Sequence, residues 1–589
     1  MSMNKITFNS KLNLFISDKI PSDFPNGLNS FISELTLSDG TLLKAVEVDF
    51  SSRRIDICKI TGKAFPVGSR ALLMGTVECE EDCEVLLGAG ADWWWSGWVN
   101  GKKVIDRSKS ADVGGNYYAT TSKVDWLIPV SLRKGSNLLA FVVDSGNHFI
   151  MGCDVFEKEL FPDYFNPMAI TNESLSGYRL IGNTTRDPVS YKVGEDIEFV
   201  FELSDSRSLR DEGIYLKWIA IGDDGEYKTG LSRISETRPL SVVTRLSRPG
   251  FVRVMALLCN SRGETAGPDQ LLLEKGWRFE GGAGADVDKL KPAVEEPADF
   301  VEYWTKQRNN LAEVPVKADV SPYLGKVFPD GSRILPEVDM FLVSVDCLGP
   351  RPVTGFLSVP KAEGGYPAKV AFCGYGGLDL PHVAHTCQSK DEIVFHVNAH
   401  GYELHRGRNY YKDFAANITK KHTNYAFSEE ENSNPDTAYF KGMVLRVLRS
   451  IDFVKTLPKW NRKSIIAFGG SQGGLQAIWA AGLHPDVTRC ESSVTWCCNM
   501  AGYSVDDRIP GWCPAYVSGL NYFDPVFHAA HIPEKCFVCI PRAGLGDYVC
   551  PPSGVTAMFN QLKCPKSIAY FQNSTHSFIP SEASIFRHR

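Results

Sequence analysis

Apolar and polar positions alternate in short runs through the first half of this chain and gather into longer blocks through the second. Between about residues 40 and 160, runs such as Ala71 to Val77, Cys83 to Leu87, Trp93 to Val99 and Asn137 to Asp144 are separated by Gly, Asn and Asp turns. Short apolar runs punctuated in this way predict an all-β module. From about 175 to 262 a second one is expected. Ile197, Phe199, Phe201 and Leu203 fall at alternate positions, the period of a strand buried on one face, and further runs follow at Ile214 to Ile221, Leu240 to Leu246 and Phe251 to Leu258. Four or more short strands at this spacing point to a small Ig-like sandwich. Asn260 to Glu296, with Gly281-Gly282-Ala283-Gly284 and an acidic piece containing prolines, reads as a linker.

The pattern then changes period. Pro297-Ala298-Asp299 is a helix-start signal, and Phe300, Tyr303, Trp304 and Leu311 share one face of the helix it opens. Strand-like runs follow at Val338 to Val345, Val353 to Val359, Lys369 to Cys373, Ile393 to Asn398, Ser464 to Phe468, Cys490 to Trp496, Cys536 to Ile540 and Ile568 to Phe571. Strands interleaved with helical patterns predict an α/β domain. The longest helix is expected from Asp436 to Leu457, with Phe440, Met443, Val444, Val447, Leu448 and Ile451 on its apolar stripe and Lys441, Arg446 and Arg449 elsewhere. The polar segment from His405 to Ser433 fits a lid or an oligomer contact, and its composition does not choose.

Chemistry enters at Gly469-Gly470-Ser471-Gln472-Gly473-Gly474, which follows the strand-like Ser464 to Phe468 and opens a helical run, Leu475 to Ala481. In a G-x-S-x-G elbow the serine sits on a strained strand-to-helix turn that only small neighbours fit, and the N–H of the next residue, Gln472, faces the position of a developing oxyanion. A serine hydrolase of this kind takes its other groups in the order Asp or Glu, then His, each after a later strand. Asp547 follows the run Cys536 to Ile540, and His576 follows Ser567 to Phe571. His576 is therefore the expected general base, with Asp547 holding its tautomer. Taken singly, Asp547 reads as a turn residue and His576 as a surface one; together with Ser471 they read as a triad. Tyr375, flanked by glycines after the third run, is the expected second oxyanion donor. Trp496, Trp512 and Tyr548 follow strand ends on the same side and are candidates for the acyl or sugar pocket, with apolar packing the equal alternative for each.

Composition narrows the partners. The 589 residues are too many for one core, and the formal charge of −6 comes without basic blocks, so no nucleic-acid or anionic-membrane role is expected. The apolar run Leu12 to Ile16 is short for a signal peptide, and no span approaches a transmembrane helix, so a cytoplasmic location is expected. Sixteen cysteines are scattered and read as reduced, buried thiols. Cys497 and Cys498 are adjacent, and Cys79 with Cys83 lacks a second pair, so no structural metal is expected.

Two resemblances follow from these residues. Trp98-Val99-Asn100-Gly101 with Leu132-Arg133-Lys134-Gly135-Ser136-Asn137 resembles the galactose-binding-like jelly-roll modules of sugar-cleaving enzymes, which implies that Trp93, Trp94 or Trp95 stacks on a sugar ring; core and hairpin packing is the stronger alternative. F-K-G-M-V-L-R-V-L-R-S-I-D-F, L-P-K-W, G-G-S-Q-G-G, G-L-G-D-Y-V-C-P-P-S and the late His resemble the acetyl xylan esterase and cephalosporin-C deacetylase group, carbohydrate esterase family seven, over roughly residues 285 to 589. That resemblance implies an α/β-hydrolase fold, a triad of Ser471, Asp547 and His576, oxyanion donors at Tyr375 and Gln472, an acetylated carbohydrate substrate, no cofactor and a homo-oligomer. The group's R-G-Q after the fourth strand is absent, and Asn398-Ala399-His400-Gly401-Tyr402 stands in its place. The expected layout is a jelly-roll-like module over 1–165, an Ig-like sandwich over 166–275 and the hydrolase over 285–589. A serine peptidase of the prolyl-oligopeptidase type would need a repeat of about 40 residues before residue 280, which is not found. A non-catalytic sugar-binding protein would not need an intact Ser, Asp and His set.

Overall fold

The fold was analysed in a computed structural model, which describes residues 6–589 apart from 64, 109–122, 147, 162, 165–166, 206–212, 236, 326–332, 377–387, 405 and 582. Two compact units are present. One comprises Met1–Asp187, Gly194–Ser247 and Val252–Ala283, the other Pro188–Val193, Arg248–Phe251 and Gly284–Arg589.

The first unit is built of antiparallel sheets. A seven-stranded sheet runs Lys102–Asp106, Trp93–Val99, Gly135–Ser145, Arg70–Cys79, Lys11–Ile16 and Val46–Asp49, with Ile6–Phe8 also paired to Arg70–Cys79. A four-stranded sheet of Trp126–Leu132, Cys83–Ala91, Ile150–Glu157 and Arg54–Asp56 accompanies it. The strand Arg70–Cys79 is buried on both faces: Leu73 and Val77 join the core with Leu87, Trp95 and Phe141, while Leu72 and Met74 join a second cluster with Phe15 and Trp98. A strand covered on both faces loses the alternation of a one-sided strand, which is why its sequence is almost continuously apolar. In the tryptophan segment, Trp95 and Trp98 are core residues, and Trp98 Nε1 donates to Asn26 Oδ1 at 2.7 Å. Trp93 and Trp94 are half-buried and meet edge to face.

Two further sheets belong to the second β region, Tyr178–Thr184 with Ile197–Asp205 and Leu240–Thr244, and Tyr227–Arg233 with Tyr215–Gly222, Gly250–Cys259 and Arg278–Ala285. The last strand corrects the linker reading. Arg278–Ala285 contains the glycine cluster, yet every residue in it is buried. At Gly284 the small residue serves close packing: a Cβ there would lie 2.4 Å from Val287 and 2.9 Å from Phe251. A cluster of Leu86, Leu127, Phe161, Tyr164, Tyr215, Leu231 and Cys259 draws on both β regions, and Tyr164 donates its hydroxyl hydrogen to Leu127 O at 2.8 Å.

The second unit holds a ten-stranded mixed sheet in the order Ala318–Pro322, Val338–Val345, Val353–Pro360, Ile393–Val397, Tyr366–Phe372, Trp460–Gly470, Arg489–Ser493, Phe537–Gly544, Lys566–Phe571 and Ile585–His588. From Ile393–Val397 to Lys566–Phe571 all neighbours are parallel, and the outer pairs are antiparallel. The eight predicted runs are present, with an added strand at each edge. One run is shorter than expected: the strand from Arg489 stops at Ser493 because Val494 takes left-handed backbone (φ 40°) and Trp496 N donates to Ser471 O. The long helix spans Tyr439–Val454, and Arg446 and Arg449 are buried with its apolar stripe. Each guanidinium donates in part to backbone carbonyls of distant segments. Arg446 Nε donates to Ala399 O at 2.9 Å, and one Arg449 nitrogen reaches Leu311 O and Val314 O at 2.7 Å each. Among the described residues no helix is long and apolar enough to cross a membrane.

Candidate active site

Ligand sites of open parallel sheets lie beyond the carboxyl ends of the strands. Five adjacent parallel strands here end on residues singled out above: Tyr366–Phe372 leads to Tyr375, Trp460–Gly470 to Ser471, Arg489–Ser493 to Trp496, Phe537–Gly544 to Asp547 and Lys566–Phe571 to His576.

Ser471 joins its strand to the helix Gln472–Leu483 with φ 56° and ψ −121°, a strained conformation for any residue with a Cβ. The turn is held by Ser471 N donating to Ser493 O at 2.9 Å. Its neighbours must be small at defined positions. A Cβ on Gly473 would lie 2.3 Å from Phe372 O, and one on Gly469 would lie 2.3 Å from the Gly473 backbone, whereas Gly470 has nothing nearer than 3.9 Å.

His576 bridges the other two groups, with Nε2 3.1 Å from Ser471 Oγ and Nδ1 3.0 Å from Asp547 Oδ2. Asp547 is buried, and its second oxygen accepts from Val549 N and Cys550 N at 2.8 Å each. These two N–H groups lock the carboxylate so that only Oδ2 is left to face the imidazole. Arg542 donates to His576 O at 2.8 Å and fixes that loop from behind; burial lowers its pKa, and the nearby Asp547 acts in the opposite direction. Cys550, in the same loop, is a buried thiol whose pKa is raised well above its usual value, by burial first and by Asp547 next. The donor atoms of Asp547, Cys550 and His576 lie within 4.8 Å of one another, and both His576 nitrogens are engaged by Asp547 and Ser471.

Gln472 is the first residue of its helix, so its N–H has no intrahelical acceptor. Its side chain is buried and turned toward the loop after Phe372, with Nε2 3.3 Å from Gly374 O. Tyr375 lies in that loop. Its ring packs on Tyr425, Phe427, Trp496 and Trp512, at centroid distances of 4.9, 6.2, 5.3 and 4.6 Å. Trp496 is fully buried behind this group and donates its indole N–H to Trp512 O, so Trp512 offers the accessible ring of the two. Tyr548 is half-buried beside Asp547. Tyr425 and Phe427, from the polar segment 405–433, were not singled out from the sequence, because an isolated aromatic in a polar stretch carries no periodicity.

Residues 285–504 and 515–587 match the family model described as acetyl xylan esterase. This part of the chain belongs to the acetyl xylan esterase family. An acetyl esterase of Xylanibacter ruminicola is 26% identical over 298 residues, which cover 48% of this chain and 64% of that protein. The chain thus spans less than two thirds of that relative. Among solved structures, an acetyl xylan esterase from a Paenibacillus species is similar with 20% identity and a TM-score of 0.40, covering 50% of this chain and 94% of that one. A second, from a Thermoanaerobacterium species, has 18% identity and a TM-score of 0.38, covering 50% and 93%.

Proposed function

We propose that this chain is a serine carboxylic-ester hydrolase that removes acetyl groups from xylo-oligosaccharides or related acetylated sugars. The observation that carries it is the continuous hydrogen-bonded set Ser471 Oγ, His576 and Asp547 at the carboxyl edge of the sheet. Ser471 attacks the acetyl carbonyl as His576 Nε2 takes its proton, and Asp547 stabilises the imidazolium through Nδ1. The N–H groups of Gln472 and Tyr375 receive the oxyanion. His576 then protonates the leaving sugar hydroxyl, and water activated by the same imidazole releases acetate. Trp512 is the ring we assign to the pocket wall. The family match and the acetyl esterase relative support the acyl group; the sugar is an inference from the family.

The finer layout is part of the same reading. The first β region is a galactose-binding-like module to about residue 165, and the second is an Ig-like sandwich, supported by its separate three- and four-stranded sheets. Acetate release from acetylated xylo-oligosaccharide and turnover of 4-nitrophenyl acetate are both expected to vanish in Ser471→Ala. Turnover of the chromogenic ester alone by the wild type would retain the triad and reject the sugar, and activity surviving in Ser471→Ala would reject the serine mechanism.

A further inference from the structure

The segment between Arg406 and Ser433 delivers one buried side chain to both expected oxyanion donors. The helix Arg408–His422 ends at Thr423, and Thr423, Asn424 and Tyr425 all hold left-handed backbone, with φ of 45, 53 and 54°. None is glycine. Three such residues in succession persist only where their surroundings over-determine them, and stored strain of this kind gathers at functional sites. The surroundings here are specific. Asn432, itself buried, donates to Ala426 O at 2.7 Å, Phe427 N donates to Thr423 O at 3.1 Å, and His422 Nδ1 lies 2.8 Å from Glu431.

The result of this turn is that Tyr425 points inward and is only 1% exposed. Its ring stacks on Tyr375, with centroids 4.9 Å apart and planes at 28°. Its hydroxyl donates to Gln472 Oε1 at 2.6 Å. Burial raises the Tyr425 pKa well above the usual phenol value, so the hydroxyl keeps the proton it donates. With Oε1 engaged, the Gln472 amide presents Nε2 on its other side, 3.3 Å from Gly374 O and 3.5 Å from Cys373 O, and Gln476 Nε2 also holds Cys373 O at 3.0 Å. Gly374 C=O and Tyr375 N–H belong to one planar trans peptide and point in opposite directions. Holding the carbonyl therefore aims the N–H.

We propose that Tyr425 is a positioning residue of the oxyanion site: its hydroxyl on Gln472 and its ring on Tyr375 fix the peptide plane whose N–H, with that of Gln472, receives the oxyanion. This rests on the serine-esterase reading above. It gives the 405–433 segment a role in the chemistry, as the strap that keeps the oxyanion loop in one orientation.

The test is a double-mutant cycle in the full chain with 4-nitrophenyl acetate as substrate and a trifluoromethyl ketone as an inhibitor that forms an oxyanion on Ser471. Tyr425→Phe removes the donor and keeps the ring. Gln472→Leu removes the amide and keeps the backbone N–H. Each is expected to lower kcat by about 10- to 100-fold, the range between a misaligned and a missing donor. KM is expected to stay within about twofold, and inhibitor affinity to fall in parallel with kcat/KM. The double variant is expected to lose little more than either single one, since both act through the same peptide. Wild-type kcat and inhibitor affinity in Tyr425→Phe, or fully additive losses, would overturn the proposal while leaving the esterase reading intact. Undiminished turnover in Ser471→Ala would overturn both.

Discussion

At the scale of single residues, the strongest constraints come from polar groups placed where water cannot reach. The His528 imidazole is fully buried among Phe300, Trp304 and Trp479, with Nε2 2.9 Å from Tyr522 O. Burial pushes its pKa down to about 3. The ring is thus neutral when folded and takes up a proton near pH 6.5 when unfolded. Between those values the unfolded state binds the extra proton, so stability from this group is full above about pH 6.5 and is lost as the pH falls toward 3. One proton corresponds to about 1.4 kcal/mol per pH unit. His528→Gln, which retains a donor for Tyr522 O, is expected to flatten the dependence of unfolding free energy on pH between 6.5 and 5 by about that slope; an unchanged slope would show that the ring is not the titrating group. Ser471, Asp547 and His576 could be read from the sequence because the elbow restricts its neighbours sterically and the order of triad members follows the order of strands. Tyr425 could not, since what makes it matter is a left-handed turn and a partner 47 positions away.

At the scale of elements, the elbow depends on how closely the helix Gln472–Leu483 approaches the strand Tyr366–Phe372. Gly473→Ala would drive a methyl into Phe372 O, where backbone cannot yield, and is expected to cost about 3 kcal/mol, the upper end of the overpacking range. Gly470→Ala meets only ordinary contacts and is expected to change stability by less than about 1 kcal/mol. Chemical denaturation of the two variants checks the contrast, and equal losses would contradict it. The same scale explains where pattern reading failed. The glycine cluster at 281–284 was expected to be a linker because glycine is the usual loop residue, yet all four residues are buried in a strand, and Gly284 has no room for a Cβ beside Val287 and Phe251. Arg446 and Arg449 were placed off the apolar stripe as charges, but each buries a guanidinium that caps carbonyls left over by a loop or a helix end. Periodicity registers hydrophobicity and is blind to such partners.

At the scale of the whole molecule, each compact unit buries a hydrophobic core of its own, with Leu73, Leu87 and Phe141 in one and Val370, Ile465 and Trp479 in the other. Calorimetric unfolding is therefore expected to need more than one two-state transition, and a reversible ligand of Ser471 is expected to raise the midpoint only of the transition that belongs to its unit. A single transition with equal calorimetric and van't Hoff enthalpies would contradict this. What the sequence determined by itself is eight of the ten strands in the second unit's sheet and the candidates Ser471, His576 and Asp547, because strand period, glycine sterics and chain order are local or one-dimensional properties. What the tertiary structure alone decided is which side chains serve those groups: Tyr425 on Gln472 and Gln472 on Gly374. These pairings are set by distances across the sheet edge, and no spacing along the chain encodes them.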